Sequence, residues 1–123
     1  MTKIHTEQAP AAIGPYSQGY VVNGLVFTSG QLGVIPATGA FAGEGIEAQA
    51  EASCKNVAAI LEAAGSSLDK VVKTTCFLAD IGDFAAFNAV YEKFFTSKPA
   101  RSCVAVKTLP KGGLCEIEAI AEA

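Results

Sequence analysis

Tyr20-Val21-Val22-Asn23-Gly24-Leu25-Val26-Phe27 reads as two short strands joined by a two-residue turn. Asn and Gly both tolerate positive φ, which a tight hairpin demands of its two central residues, so Asn23-Gly24 is the strongest short hairpin signal in the chain. On its C-terminal side, Ile35-Pro36-Ala37-Thr38-Gly39 reads as a turn, followed by a short extended piece near Ala40-Phe41. The period then changes. From Ile46 to Ala64 the residues Ile46, Ala50, Cys54, Val57, Ile60, Leu61 and Ala64 recur at helical spacing, and Gly65 stands where a left-handed C-terminal cap belongs. Val71 to Ala79 is rich in β-branched residues and reads as a strand buried on at least one face. Asp80 is placed to cap a second helix with the stripe Phe84, Phe87, Val90, Tyr91 and Phe94, and Pro99 ends any helical continuation. Ser102 to Val106 and Leu114 to Ala121 read as two more strands around a hairpin turn at Leu109-Pro110-Lys111-Gly112-Gly113.

The order is therefore hairpin, helix, strand, helix, two strands. An α+β fold satisfies every apolar stripe if one sheet carries both helices on one face. Its other face then needs a cover, and a second copy of the chain supplies one. The 123 residues predict a single domain spanning 1–123. Mean hydropathy is +0.34, and 17% of residues are charged against about 25% in ordinary soluble proteins, which also points to surface hidden in an oligomer.

Nine basic and twelve acidic side chains give a net charge of −3 with no basic stripe, which argues against nucleic-acid binding. The four cysteines, Cys54, Cys76, Cys103 and Cys115, form no CxxC pair. The one histidine, His5, lies in an N-terminal segment expected to be mobile, so a zinc site is not expected. The absence of an apolar leader or membrane-length apolar run, with thiols that read as reduced, predicts a cytoplasmic protein without membrane contact.

Several polar residues sit awkwardly for a plain scaffold. Alternation puts Arg101 and Cys103 on one strand face with Ala105, and Glu116 and Glu118 on one face of the last strand. Ser29-Gly30 closes the second hairpin strand, Tyr16 lies in the stiff turn Gly14-Pro15-Tyr16-Ser17-Gln18, and Asn88 precedes Tyr91 by one helical turn. Two readings of Arg101 stay open: a surface ion pair, or a fork holding a carboxylate through two parallel bonds. Glu116 is equally a solvated strand residue or a base. Cys103 lacks a neighbouring base and reads better as structural than as a nucleophile, and a Ser-His-acid triad fails for want of a histidine. Gly112-Gly113 precedes a strand and not a helix, so no phosphate loop is present. The pattern stops at an anion pocket with a candidate carboxylate base.

Six ordered motifs carry the reading further. These are Ala9-Pro10-Ala11-Ala12-Ile13-Gly14-Pro15-Tyr16-Ser17-Gln18, Phe27-Thr28-Ser29-Gly30-Gln31, Val71-Val72-Lys73-Thr74-Thr75, Asn88 with Tyr91, Pro99-Ala100-Arg101-Ser102-Cys103-Val104, and Leu109-Pro110-Lys111 followed by Glu116-Ile117-Glu118-Ala119-Ile120-Ala121. Together they resemble the RidA/YjgF reactive-intermediate deaminases over essentially the whole chain. The resemblance implies a chorismate-mutase-like (bacillar type) mixed sheet with two helices on one face, assembled as a homotrimer with sites between subunits. It implies hydrolysis of 2-aminoacrylate and 2-iminobutanoate, released by pyridoxal-phosphate-dependent dehydratases, to 2-oxo acids and ammonia, with no cofactor or metal. It assigns the carboxylate clamp to Arg101 and a water-orienting acid to Glu116, with Tyr16, Ser29, Gly30, Asn88 and Cys103 lining the pocket. The segment between Phe95 and Pro99 is shorter than in some members, which implies a different pocket rim. Rival expectations are a non-catalytic small-carboxylate sensor, a ribonuclease-type translation inhibitor and a chaperone-like scaffold.

Overall fold

The Asn23-Gly24 turn forms as read: φ is 50° and 77° at the two positions, and Val22 pairs with Leu25 across it. In the computed structural model, which describes all 123 residues, this hairpin joins β2 (Gly19–Val22) to β3 (Leu25–Thr28). The chain continues through β4 (Gln31–Leu32), α1 (Ile46–Ala63), β5 (Val71–Leu78), α2 (Phe84–Phe94), β6 (Ala100–Ala105) and β7 (Cys115–Glu122), and opens with β1 (Thr2–Ile4). All seven strands form one mixed sheet in the order β1-β2-β3-β7-β5-β6, with β4 continuing along the β3 edge of β7.

Local chemistry explains the helix ends. At the end of α1, Gly65 adopts φ 80°; its N–H donates to the Glu62 carbonyl (3.0 Å), and the Ser66 N–H donates to that of Leu61 (2.8 Å). This double bond pattern satisfies carbonyls the helix leaves orphaned, at a conformation glycine adopts without penalty. Asp80, expected to cap the second helix, instead caps a 3-10 turn (Ile81–Asp83) that feeds α2, accepting from the Gly82 N–H at 2.8 Å, while Asp83 stands at the start of α2 without a side-chain cap bond.

The alternation of β7 sets the layers. Cys115, Ile117, Ala119 and Ala121 are buried against the helices with Val57, Ile60, Leu61 and Phe87, while Glu116, Glu118 and Ile120 face the other way. On that opposite face Phe27 pairs with Ile120, and Phe77 with both Glu116 and Val104. Phe27 remains 38% exposed and Val104 46%, so the uncovered apolar face anticipated from the sequence is present.

Two expectations need correction. β6 and β7 are not hairpin partners: β6 lies parallel to β5 at the sheet edge, whereas β7 lies between β3 and β5. A parallel neighbour requires a crossover, which α2 supplies between β5 and β6. The segment around Leu109–Gly113 then carries the chain past β5 through two overlapping tight turns, with positive φ at Lys111 and Gly112. The N-terminal segment, expected to be mobile, pairs with β2 and buries Ile4. Buried Gln18 pins the following loop, accepting from the Thr6 N–H (2.7 Å) and donating to the carbonyls of Thr6 (3.0 Å) and Pro10 (2.9 Å). Burying that side chain is tolerable because its polar atoms are matched.

Candidate functional site

The polar residues singled out above fall into two groups separated by the sheet. The first centres on Arg101 in edge strand β6. Its Nη1 donates to Asn88 Oδ1 at 2.8 Å, and its guanidinium carbon lies 4.8 Å from the Tyr91 ring centroid and 5.6 Å from that of Phe84. All three partners belong to α2, spaced so that one helix face holds the guanidinium by a hydrogen bond and two π-faces. Tyr91 is itself fixed, sharing a hydrogen bond with Thr74 Oγ1 (2.7 Å) and stacking on Phe95 at 4.4 Å. The chain's one ion pair is Lys55–Glu51 at 3.0 Å, so the half-buried Arg101 has no carboxylate partner.

Cys103 follows on the same face, paired across the ladder with buried Cys76. Burial pushes the Cys103 thiol above its ordinary pKa, against a downward pull from Arg101, and pushes Cys76 up to about 12. A protonated thiol is a poor nucleophile. All four cysteines are free.

The second group lines a cleft of about 650 Å³ on the opposite face, holding Tyr16, Ser29, Gly30, Glu116, Glu118 and Lys111. β3 and β4 break at Ser29-Gly30, which leaves a gap in the ladder beside β7. Ser29 Oγ donates to the Ser17 carbonyl at 2.5 Å, and its N–H donates to the Gln18 carbonyl at 2.8 Å, tethering the Tyr16 turn to the gap. Gly30 makes room for the acid: a Cβ there would stand 2.7 Å from the Glu116 carboxyl carbon and 3.0 Å from Oε2. Burial first, and the Glu118 charge second, raise the Glu116 pKa above its ordinary 4.5. Both effects disfavour the anion, which makes the ionised form a stronger base.

One chain thus assembles Tyr16, Ser29, Gly30 and Glu116, and separately Arg101, Asn88 and Cys103, but it does not unite Arg101 with Glu116. Register gives the reason. Arg101 pairs with Thr74, whose hydroxyl meets Tyr91 on the helix side, whereas Glu116 pairs with Phe77, an odd number of residues farther on and so on the other side. The aromatic platform of Phe84 and Tyr91 was not anticipated as part of a site. Its signal was present in the i, i+4, i+7 spacing of Phe84, Asn88 and Tyr91 but was indistinguishable from a core stripe. Nor was Lys111 read as a lining residue. No cluster of His, Cys, Asp and Glu has a metal-holding arrangement, and no helix is long and apolar enough to cross a membrane.

Comparison with known proteins gives a consistent picture. Residues 6–123 match the family model described as Endoribonuclease L-PSP. A Salmonella typhimurium protein named 2-iminobutanoate/2-iminopropanoate deaminase is 57% identical over 122 residues, covering 96% of this chain and 94% of that protein. The solved structure of the Escherichia coli YjgF gene product matches with a TM-score of 0.95 at 51% identity, covering 99% of this chain and 98% of that one. Escherichia coli TdcF, solved with bound serine, matches with a TM-score of 0.96 at 46% identity, covering 100% and 98%. A family match over nearly the whole chain, joined to near-superposable relatives, shows that this protein belongs to the Endoribonuclease L-PSP family, that is, the RidA/YjgF family.

Proposed function

We propose that the protein is a 2-iminobutanoate/2-iminopropanoate deaminase, hydrolysing 2-imino and 2-enamino acids to 2-oxo acids and ammonia. Its single domain works as a cytoplasmic homotrimer, with each site completed by two copies. The observation that carries the reading is Arg101, half-buried and held by Asn88 and two aromatic rings with no carboxylate to pair with. An arginine preorganised in this way is matched to an external carboxylate. Two further observations support it: the identity with a relative named as that deaminase, and the serine, a 2-amino acid, bound by a relative of the same fold. The partly exposed apolar face fits coverage by another copy, which brings one chain's Arg101 toward another's Glu116.

The chemistry is within reach of these groups. The enamine tautomerises to an imine whose protonated form has an electrophilic C=N carbon, so the reaction requires neither a metal nor a covalent intermediate. Arg101 fixes the substrate carboxylate, and orientation of this kind contributes several kcal/mol when geometry approaches attack, about 7 at the lower end of measured cases. Glu116 accepts a proton from water as its oxygen bonds to that carbon. It then returns the proton to nitrogen and takes up the hydroxyl proton as the C–N bond breaks, so that the C=O bond forms, ammonia leaves, and the proton on Glu116 passes to ammonia or solvent. Pyridoxal-phosphate-dependent dehydratases release such enamines and are the expected suppliers. A cleft bearing two glutamates and one lysine offers little to a polyanion, which disfavours RNA as substrate.

The test couples a serine dehydratase to the protein and follows oxo-acid formation. Formation clearly faster than the spontaneous decay is expected; an unchanged rate contradicts the proposal. Gly30→Ala probes the same site from the backbone. The new methyl group meets the flexible end of Glu116 and turns it aside, so turnover is expected to fall by about tenfold or more, with the melting temperature nearly unchanged. Wild-type turnover in Gly30→Ala would mean that the Glu116 carboxylate has no fixed task.

A further inference from the structure

The cleft that carries Glu116 contains one cation. Glu116 and Glu118 line it from β7, and Lys111 lines it from the turn leading into that strand. Lys111 makes no ion pair within the chain, so its charge is free to act on whatever enters. Its position is set by the turn. The Gly112 and Gly113 N–H groups donate to the carbonyls of Leu109 and Pro110, each at 3.1 Å, and Leu109 is buried. Gly113 packs so closely that a Cβ there would stand 2.9 Å from Leu32 Cδ2. Lys111 itself holds φ 59° and ψ 16°, a left-handed conformation that glycine adopts more cheaply.

An anionic substrate approaching two carboxylates is repelled, and although Lys111 and Glu118 are solvent-exposed, charges lining one cleft set the field that an entering ion meets. We propose that Lys111 is a specificity-determining residue that offsets the charges of Glu116 and Glu118 and admits anionic substrates to the cleft. The inference rests on the deaminase reading and adds to it a residue outside the carboxylate clamp and the water-orienting acid. Lys111 acts on entry and binding, so its loss raises KM and leaves kcat near its original value.

The test measures 2-oxobutanoate binding by calorimetry at about 0.01 M and about 0.5 M salt, where screening lengths differ severalfold. At low salt, Lys111→Ala is expected to weaken binding about fivefold and Lys111→Glu about twentyfold or more, with Lys111→Arg within about twofold of wild type. At high salt the differences should largely vanish. Lys111→Gly removes the same charge but suits the backbone, so its weaker binding should accompany a raised melting temperature, which excludes misfolding as the cause. Wild-type affinity in both Lys111→Ala and Lys111→Glu at low salt overturns the proposal while leaving the deaminase reading intact. A wild-type protein that neither binds 2-oxobutanoate nor accelerates imine hydrolysis overturns both.

Discussion

Arg101→Ala is expected to lower kcat/KM for imine hydrolysis by roughly three orders of magnitude while the protein still folds and assembles. The residue lies on edge strand β6 and is only half-buried, and the Asn88 carbonyl it leaves behind is open enough to accept from water. What disappears is the group proposed to fix the substrate carboxylate. Arg101→Lys is the sharper control. It keeps the charge and discards the planar fork that can bond Asn88 and a carboxylate together, so an intermediate loss, about ten- to a hundredfold, is expected. Activity in the serine dehydratase-coupled assay, read beside a melting curve, separates these outcomes. Undiminished turnover in Arg101→Ala removes the clamp from the mechanism.

Glu116→Gln is expected to lower kcat by about 10²–10⁴-fold while retaining 2-oxobutanoate binding, because the amide keeps the shape but cannot take a proton from water. The pH dependence carries a sign. Burial and Glu118 raise the pKa of Glu116 above 4.5, and the proposed mechanism uses the anion. Activity should therefore rise with pH through that raised value, along an acid limb displaced upward from an ordinary glutamate. Glu116→Gln should lose the limb, and Glu118→Gln should move it downward by removing a neighbouring charge. A limb that persists in Glu116→Gln assigns the titration, and the base, to another group. Since the ionised form is the one disfavoured in the native state, Glu116→Gln should melt no lower than wild type near neutral pH.

The elements legible in the sequence are those written in local chemistry. Asn23-Gly24 specified a hairpin, the apolar recurrence ending at Gly65 specified α1, and Asp80 marked the start of the second helical segment, each through contacts within a few residues. Alternation placed Arg101 with Cys103, and Glu116 with Glu118, as found. Strand order was not legible. Whether β6 pairs with β7 or with β5 depends on which buried faces meet across the chain, and the turn at Leu109–Gly113 is chemically compatible with either. β1 and β4 are too short to show a period, and β1 is held by pairing with β2 together with the buried Gln18 behind it. The candidates Tyr16, Ser29, Gly30, Asn88, Arg101, Cys103 and Glu116 could be named from their motifs, whereas the Phe84 platform and Lys111 could not, and the separation of Arg101 and Glu116 by the sheet is a property of register across β5, β6 and β7. It became visible only once those three strands were paired.

That separation makes the central claim directly measurable. Arg101→Ala and Glu116→Gln proteins, each inactive alone, can be mixed, unfolded and refolded together so that copies assort at random. If each site takes its arginine from one copy and its glutamate from another, sites receiving both intact residues form, and activity should return to about a quarter of the wild-type value. A mixture that stays as inactive as its parents, despite verified exchange of copies, would show that no site is shared between chains.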